Sequence, residues 1–199
     1  MSSTKVKDQD LGDGDALMVV DVQNDFLPGG SLEVPGGDKI VPIINRYIEL
    51  FQSKGLPIFA TRDWHPQDHS SFKEQGGPWP VHCVAGLRGA EFHPDMNLPD
   101  SAIVISKATA VDKDAYSGFD GTDLDEPLRS VGIRRLFIGG LATDYCVLNT
   151  VKDALKLGYE VLILQDAIRA VNVQPEDGHE AVEEMKRLGA VSVELGSFA

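Results

Sequence analysis

Four segments of the chain share one pattern: a helix-like stretch ends at a glycine, and a short apolar run rich in β-branched residues follows. Each glycine occupies the place of the left-handed residue that commonly ends a helix. The runs are apolar on both faces, which is typical of central strands in a parallel sheet covered by helices. The four glycines are Gly55, Gly132, Gly158 and Gly189.

Two further apolar runs, ALMVVDV near the start and AIVISK around residue 105, complete a set of six predicted strands. The spacing of apolar residues predicts helices over 38–54, 123–131, 144–157 and 176–188. The resulting order is β-α-β-β-α-β-α-β-α-β. It predicts an α/β fold: one Rossmann-like, three-layer α/β/α domain with a mostly parallel sheet of about six strands.

Residues 63–100 form a long insertion between the second and third predicted strands, rich in glycine, proline, histidine and aromatic residues. A loop of this length inside a compact domain is usually functional.

Composition narrows the function classes. A chain of 199 residues can bury a core without disulfides, and two cysteines make neither a disulfide framework nor a four-ligand metal knot. The net charge of −13 argues against nucleic acid or an anionic membrane as a partner. Because no signal peptide or membrane-spanning run is evident, we expect a cytoplasmic protein. Residues 1–14 are predicted to be a flexible polar arm.

Reactive side chains stand at the predicted strand ends. Ligands of open parallel sheets bind outside the carboxyl ends of the strands, so these side chains are expected to meet at one edge. In chain order the strand ends carry Asp21, Asp63 with His65, Lys107, Cys146 and Asp166.

The stretch GGLATDYCVLNT places Cys146 in the first turn of a predicted helix. The helix dipole and the ammonium of Lys107 are expected to lower the pKa of its thiol. Asp21 would take the thiol proton and later return it, and free N–H groups at the helix start would form an oxyanion hole. Taken singly, each residue has a structural explanation, as a turn residue, a solvated strand end or a core cysteine. The joint placement favours a nucleophile. Cys83 lacks such neighbours and is predicted to be structural.

The segments TRDWHPQDHSSF and WPVHCV contain a candidate metal site. Asp63 and His65 point the same way on an extended segment, and His82 can fold back towards them. Two histidines and a carboxylate are the ligand set of a catalytic divalent metal with open positions. The alternative is a loop whose histidines satisfy backbone groups. For His69 we expect outer-shell hydrogen bonding rather than ligation.

Three aromatic residues, Phe26, Trp79 and Tyr116, lie near these groups in the sequence. They are either core residues or the walls of a site for a flat, ring-shaped ligand. The tracts PGGSLEVPGG and GGLAT match neither a P-loop nor a dinucleotide fingerprint, so nucleotide binding is weakly supported.

Together, VVDVQNDF, TRDWHPQDHSSF, WPVHCV, SKA and GGLATDYCV resemble the nicotinamidases, within the isochorismatase-like cysteine hydrolases. The resemblance runs from about Ala16 to Leu195, in the family's order and spacing. It implies an isochorismatase-like hydrolase domain over residues 15–199. It also implies hydrolysis of nicotinamide to nicotinate and ammonia through a cysteine thioester, with pyrazinamide as a second substrate.

The resemblance also implies roles for individual residues. The triad would be Asp21, Lys107 and Cys146. The metal, commonly zinc and in some relatives iron or manganese, would be held by Asp63, His65 and His82 and would bind the ring nitrogen. A cis peptide would join Leu141 to Ala142, and the oxyanion would rest on the amides of Ala142 and Cys146. Phe26 and Trp79 would sandwich the ring, with Tyr116 beside it.

Two alternatives remain at this stage. A related ureido or carbamoyl amidohydrolase would share the triad but would not need the metal. A non-catalytic metal-binding or thiol-redox module would use Cys83 and Cys146 as partners, although no C-x-x-C arrangement is present. The sequence leaves open whether the chain forms a homo-oligomer, and whether its role is NAD recycling or nicotinamide clearance.

Overall fold

Six parallel strands form one sheet in the order β3-β2-β1-β4-β5-β6 in the computed structural model, which describes residues 10–198. The strands are β1 (Asp15–Val20), β2 (Ile58–Asp63), β3 (Ile103–Lys107), β4 (Arg135–Leu141), β5 (Glu160–Arg169) and β6 (Val191–Val193). The helices are α1 (Val41–Ser53), α2 (Asp125–Ser130), α3 (Leu148–Lys156) and α4 (Asp177–Arg187). The predicted α/β architecture is confirmed.

Helices cover both faces of the sheet. On one face, α1 packs Ile44, Tyr47 and Phe51 into a core that includes alternate residues of β1 and β4. On the other face, α2, α3 and α4 bury a second core that contains Leu128 and Met185. All six residues of β1 are buried because the strand lies between both layers, which explains the apolar run that follows Asp15.

The glycine pattern is confirmed in the backbone. Gly55, Gly132, Gly158 and Gly189 have φ angles of 68°, 75°, 91° and 115°. Each ends a helix in the left-handed region and turns the chain into the next strand.

Two helices begin differently from the prediction. The segment predicted over 38–54 starts as a 3-10 turn, Gly37–Ile40, before α1. The segment predicted over 144–157 starts as a π-helical turn, Thr143–Val147, before α3.

The expectation that Asp166 ends the fifth strand at the reactive edge is wrong. A register shift opposite β4 lets β5 continue to Arg169, so Asp166 lies within the strand. Its carboxylate accepts hydrogen bonds from the Tyr47 hydroxyl at 2.8 Å and the Leu195 amide at 3.0 Å. Asp166 therefore joins α1 to the C-terminal segment.

The insertion is ordered by backbone pairing and by one buried aromatic residue. His65 pairs with Val84, and Phe72 pairs with Trp79. Phe72 is fully buried and contacts the imidazoles of His65 and His82 edge-on. The insertion is thereby folded back over the carboxyl ends of β1 and β2.

Residues 1–9 of the predicted arm lie outside the described part of the chain. Within residues 10–14, the carbonyls of Asp10 and Asp13 accept hydrogen bonds from Arg135 and Arg134. No helix among residues 10–198 combines the length and the apolar character needed to cross a membrane.

Gly140 is a position where only glycine fits. It has a φ of 129°, and a Cβ there would lie 2.0 Å from the carbonyl oxygen of Val20 on β1. We expect Gly140→Ala to lower the free energy of unfolding by roughly 3 kcal/mol, because overpacking and an unfavourable φ act together. Urea denaturation would measure this. Gly196→Ala is the control, since a Cβ there meets nothing within 4 Å. Equal midpoints for the two variants would contradict the expectation.

Candidate active site

The ammonium of Lys107 stands at the centre of a buried cluster at the carboxyl edge of the sheet. Its Nζ lies 3.0 Å from Asp21 Oδ2 and 3.5 Å from the Cys146 Sγ. It also donates to Asp63 Oδ1 and, at 3.1 Å, to the Ala115 carbonyl. Burial lowers the pKa of Lys107, but attraction to the two carboxylates outweighs burial and raises it well above its ordinary value. The side chain is therefore a permanent cation.

Asp21 leaves β1 with a φ of 49° and turns its carboxylate towards this cation. One oxygen, Oδ1, accepts a hydrogen bond from the Thr61 hydroxyl at 2.7 Å. The other, Oδ2, forms an ion pair with the Lys107 ammonium at 3.0 Å and has no further hydrogen-bond partner within the described residues. Burial raises the pKa of Asp21, against the opposing effect of Lys107. A buried carboxylate oxygen with a free lone pair is suited to hold a transferred proton.

The thiol of Cys146 lies beside this oxygen; ligand atoms of Asp21, Asp63 and Cys146 are all within 4.8 Å of one another. The expectation of a lowered thiol pKa is wrong. Burial raises the pKa of Cys146 well above its ordinary value; Lys107 opposes the rise and both carboxylates add to it. The thiol is therefore protonated at rest, and a neighbouring base is needed to activate it.

Asp63, His65 and His82 also converge, with their ligand atoms within 4.8 Å of one another. His65 Nδ1 donates to the His82 carbonyl at 3.0 Å, and His82 Nδ1 donates to the Pro80 carbonyl at 2.8 Å. A carbonyl only accepts, so each Nδ1 carries a hydrogen, and Nε2 is the ring nitrogen left to bind a metal. Burial, helped by His82, lowers the pKa of His65 to about 3, so this imidazole is neutral. Two oriented imidazoles and a carboxylate fit a divalent metal ion.

His69 lies beside His65, with ring centroids 4.4 Å apart, but both of its nitrogens are already engaged. Its Nε2 donates to the Lys113 carbonyl at 3.2 Å, and its Nδ1 lies 2.8 Å from the Ser71 hydroxyl. Hydrogen bonding rather than ligation stays the prediction for His69, although ligand atoms of His65, His69 and Asp114 also lie within 4.8 Å of one another. His69 thus joins the insertion to the loop after β3.

One cavity connects the cysteine cluster to the histidine cluster. All the residues predicted for the metal and substrate positions line it, together with Ala142 and Cys146. The Trp79 Nε1 donates to the Tyr116 hydroxyl at 3.0 Å, so Tyr116 fixes the indole plane. The peptide between Leu141 and Ala142 is cis, as the resemblance implies.

Several residues of the site were missed in the sequence. Thr61 stands two residues before Asp63 on β2 and shares its face, which is a signal that periodicity offered. Tyr145 immediately precedes Cys146 and packs edge-on against Trp79 at 5.3 Å. The apolar cavity residues Leu32, Val34 and Val171 carry no recognisable sequence signal.

Cys83 is buried, and its sulfur contacts the Gly89 carbonyl at 3.9 Å. Burial raises the pKa of this thiol far above its ordinary value. Cys83 and Cys146 are both free thiols. These contacts agree with a structural role for Cys83.

Comparison with known proteins supports the family resemblance seen in the sequence motifs. The Isochorismatase domain family matches residues 15–195, almost the whole chain. The chain belongs to the isochorismatase-domain family. The resemblance inferred from the motifs is confirmed.

Within the isochorismatase-domain family, similar proteins cover nearly full length. The nicotinamidase of Escherichia coli (strain K12) is 42% identical, over 92% of this chain and 96% of that protein. The pyrazinamidase of Pyrococcus horikoshii in complex with zinc has a TM-score of 0.88 and 55% identity, covering 92% of this chain and 99% of that chain. PnC1 from L. infantum in complex with nicotinate has a TM-score of 0.85 and 37% identity, covering 94% and 96%.

The cluster of Asp63, His65 and His82 is expected to bind a divalent metal ion, and Zn²⁺ serves as the probe. If His82 is one of the three metal ligands, His82→Ala should weaken Zn²⁺ affinity by more than about 100-fold, beyond the loss of an outer-shell partner. Competition with a chromophoric chelator would measure the affinity. His179→Ala, an exposed histidine on α4, is the matched control and should bind as the wild type does. Equal affinities in both variants would refute the ligand assignment.

Proposed function

We propose that this protein hydrolyses nicotinamide to nicotinate and ammonia through a thioester on Cys146, with a divalent metal ion held by Asp63, His65 and His82. The observation that carries the proposal is that one aromatic-walled cavity is lined by both the buried thiol and the carboxylate–histidine cluster. The nicotinamidase and pyrazinamidase relatives support this substrate class. Pyrazinamide, a ring amide of the same shape, is expected to be a second substrate.

Asp21 acts first as the base. It takes the proton of the Cys146 thiol, and the sulfur attacks the carboxamide carbon of the substrate. Lys107 lies within contact of both groups, so its fixed positive charge stabilises the thiolate as it forms. Because the thiol is protonated at rest, proton removal and attack are expected to occur together.

Asp21 then acts as the acid. Its proton goes to the amide nitrogen, the carbon–nitrogen bond breaks, and ammonia leaves a nicotinoyl thioester on Cys146. A water molecule, deprotonated by Asp21, attacks the thioester. The carbon–sulfur bond breaks, the proton held by Asp21 returns to the sulfur, and the nicotinic acid released ionises to nicotinate by losing its proton to solvent. The amides of Ala142 and Cys146, which line the same cavity, are proposed to hold the oxyanion of both steps.

The aromatic walls bind and orient the ring. Phe26 and Trp79 are proposed to sandwich the pyridine, and Tyr116 keeps the indole in place through its hydroxyl. The metal, for which Zn²⁺ is proposed and Fe²⁺ or Mn²⁺ are alternatives, would supply a Lewis acid for the ring nitrogen. The Lys107 side chain contacts both Asp63 and Cys146, so it joins the proposed metal ligands to the nucleophile.

Ammonia release from nicotinamide tests the proposal directly. Loss of the nucleophile in Cys146→Ala is expected to lower kcat/KM by roughly 10³-fold or more. Cys83→Ala is the matched control and should stay within about threefold, as expected for a side chain outside the reacting atoms. Metal-stripped enzyme should lose turnover and regain it when Zn²⁺ is added. Mass spectrometry of acid-quenched enzyme should detect a nicotinoyl adduct on Cys146.

A different result would identify the alternative. If metal-loaded wild type leaves nicotinamide intact but hydrolyses ureido or carbamoyl compounds, and does so after metal removal, the protein is a related amidohydrolase.

Tyr116 tests the role of the aromatic wall. Tyr116→Phe leaves the Trp79 N–H without its partner, at a cost of about 1 kcal/mol. We expect the KM for nicotinamide to rise roughly fivefold with kcat nearly unchanged. Steady-state kinetics would measure both constants. The control is Tyr159→Phe, which removes a comparable hydrogen bond to Asp125 outside the cavity. A fall in kcat with constant KM would argue against a binding role.

A further inference from the structure

Beside the proposed metal site, β2 continues further than its neighbour β1. Backbone pairing of β1 with β2 ends at Val20 and Thr61, and the Asp21 amide makes the last bond, to the Thr61 carbonyl at 3.2 Å. The Asp21 carbonyl accepts a hydrogen bond from the Gln23 amide at 2.9 Å instead of pairing with β2. The next residue of β2 to need a partner on this side is Asp63, which is buried.

The side chain of Gln23 takes the place of the missing strand. Its Oε1 accepts the Asp63 amide at 2.8 Å, and its Nε2 donates to the Asp63 carbonyl at 2.8 Å. The second Nε2 hydrogen goes to the Ala90 carbonyl in the insertion at 2.9 Å. Gln23 is completely buried. One carboxamide therefore satisfies both backbone groups of Asp63 and anchors the insertion to them.

The position of the Asp63 backbone decides where its carboxylate lies. On its other side Asp63 is paired with Lys107 of β3, so Gln23 and β3 hold the residue from both edges. Without the carboxamide, an amide and a carbonyl would be left buried without partners, and the strand end would be free to move.

We propose that Gln23 is a positioning residue for the metal site: its side-chain amide replaces a β1 partner and fixes Asp63 as a ligand. The inference rests on the proposed function, since it concerns the same ligand set. Gln23 itself touches neither the substrate nor the reacting atoms.

Zn²⁺ affinity of the full-length protein, measured with Zn²⁺ alone against a competing chelator, tests this. Gln23→Met keeps the side-chain length and removes all three hydrogen bonds, and we expect a 10–100-fold loss of affinity, approximately the cost of losing an outer-shell partner. Gln23→Glu keeps the acceptor for the Asp63 amide but loses both donors, so its affinity should be intermediate.

The matched control is Asn24→Ala. The Asn24 side chain links the same turn to the insertion through the Arg88 carbonyl at 2.8 Å and does not contact Asp63. This variant should bind Zn²⁺ within about threefold of wild type, as expected for a change outside the ligand shell. Thermal unfolding of all variants separates lost affinity from lost folding.

Equal Zn²⁺ affinity in Gln23→Met and Asn24→Ala would overturn the inference. If Gln23→Met does not fold, wild-type affinity in Gln23→Glu would overturn it instead. Because no substrate is present, the result is independent of the reaction. A wild type that binds Zn²⁺ but leaves nicotinamide intact would refute the substrate assignment, while the affinity ranking would still decide the role of Gln23.

Discussion

The buried ammonium of Lys107 is the interaction on which the arrangement of the site depends. A charge removed from water costs several kcal/mol unless it is well paired, and removing one partner of such a pair is strongly destabilising. Here the partners arrive from the ends of β1 and β2, and Lys107 itself ends β3. Three adjacent strands must therefore end at the same level of the sheet. The parallel register, which places Asp63 opposite Lys107, meets this requirement.

The same charge links chemistry to architecture. Asp21 and Asp63 both lie near the thiol but differ in what else they contact: Asp21 accepts a hydrogen bond from Thr61, whereas Asp63 adjoins two imidazoles. Both carboxylates contact the Lys107 ammonium, but their other neighbours differ. Asp21 is therefore proposed as the proton carrier and Asp63 as the metal ligand. Two further side chains connect the site to loops distant in sequence. His69 bonds to the carbonyl of Lys113, and Gln23 bonds to the carbonyl of Ala90.

Much of the fold could be predicted because its signals are local. Each glycine such as Gly158 ends its own helix, and the unbroken apolar runs report burial on both faces. The convergence of Asp21, Lys107 and Cys146 followed from topology alone, since parallel strands present their ends at one edge. Features that depend on distant partners were not predictable. The continuation of β5 past Asp166 depends on a register shift against β4, and the raised pKa of Cys146 depends on how completely many segments enclose it.

The π-helical turn Thr143–Val147 sets the rotational phase of the nucleophile relative to α3. In that turn the Val147 amide reaches back five residues to the Ala142 carbonyl, one more than in an α-helix. The extra residue lies in the turn that contains Cys146, and α3 follows as a regular α-helix. Deleting one residue there would turn the thiol by about 100° around the helix axis and away from Lys107. The direction of the Cys146 sulfur thus depends on the number of residues in the π-helical turn before α3.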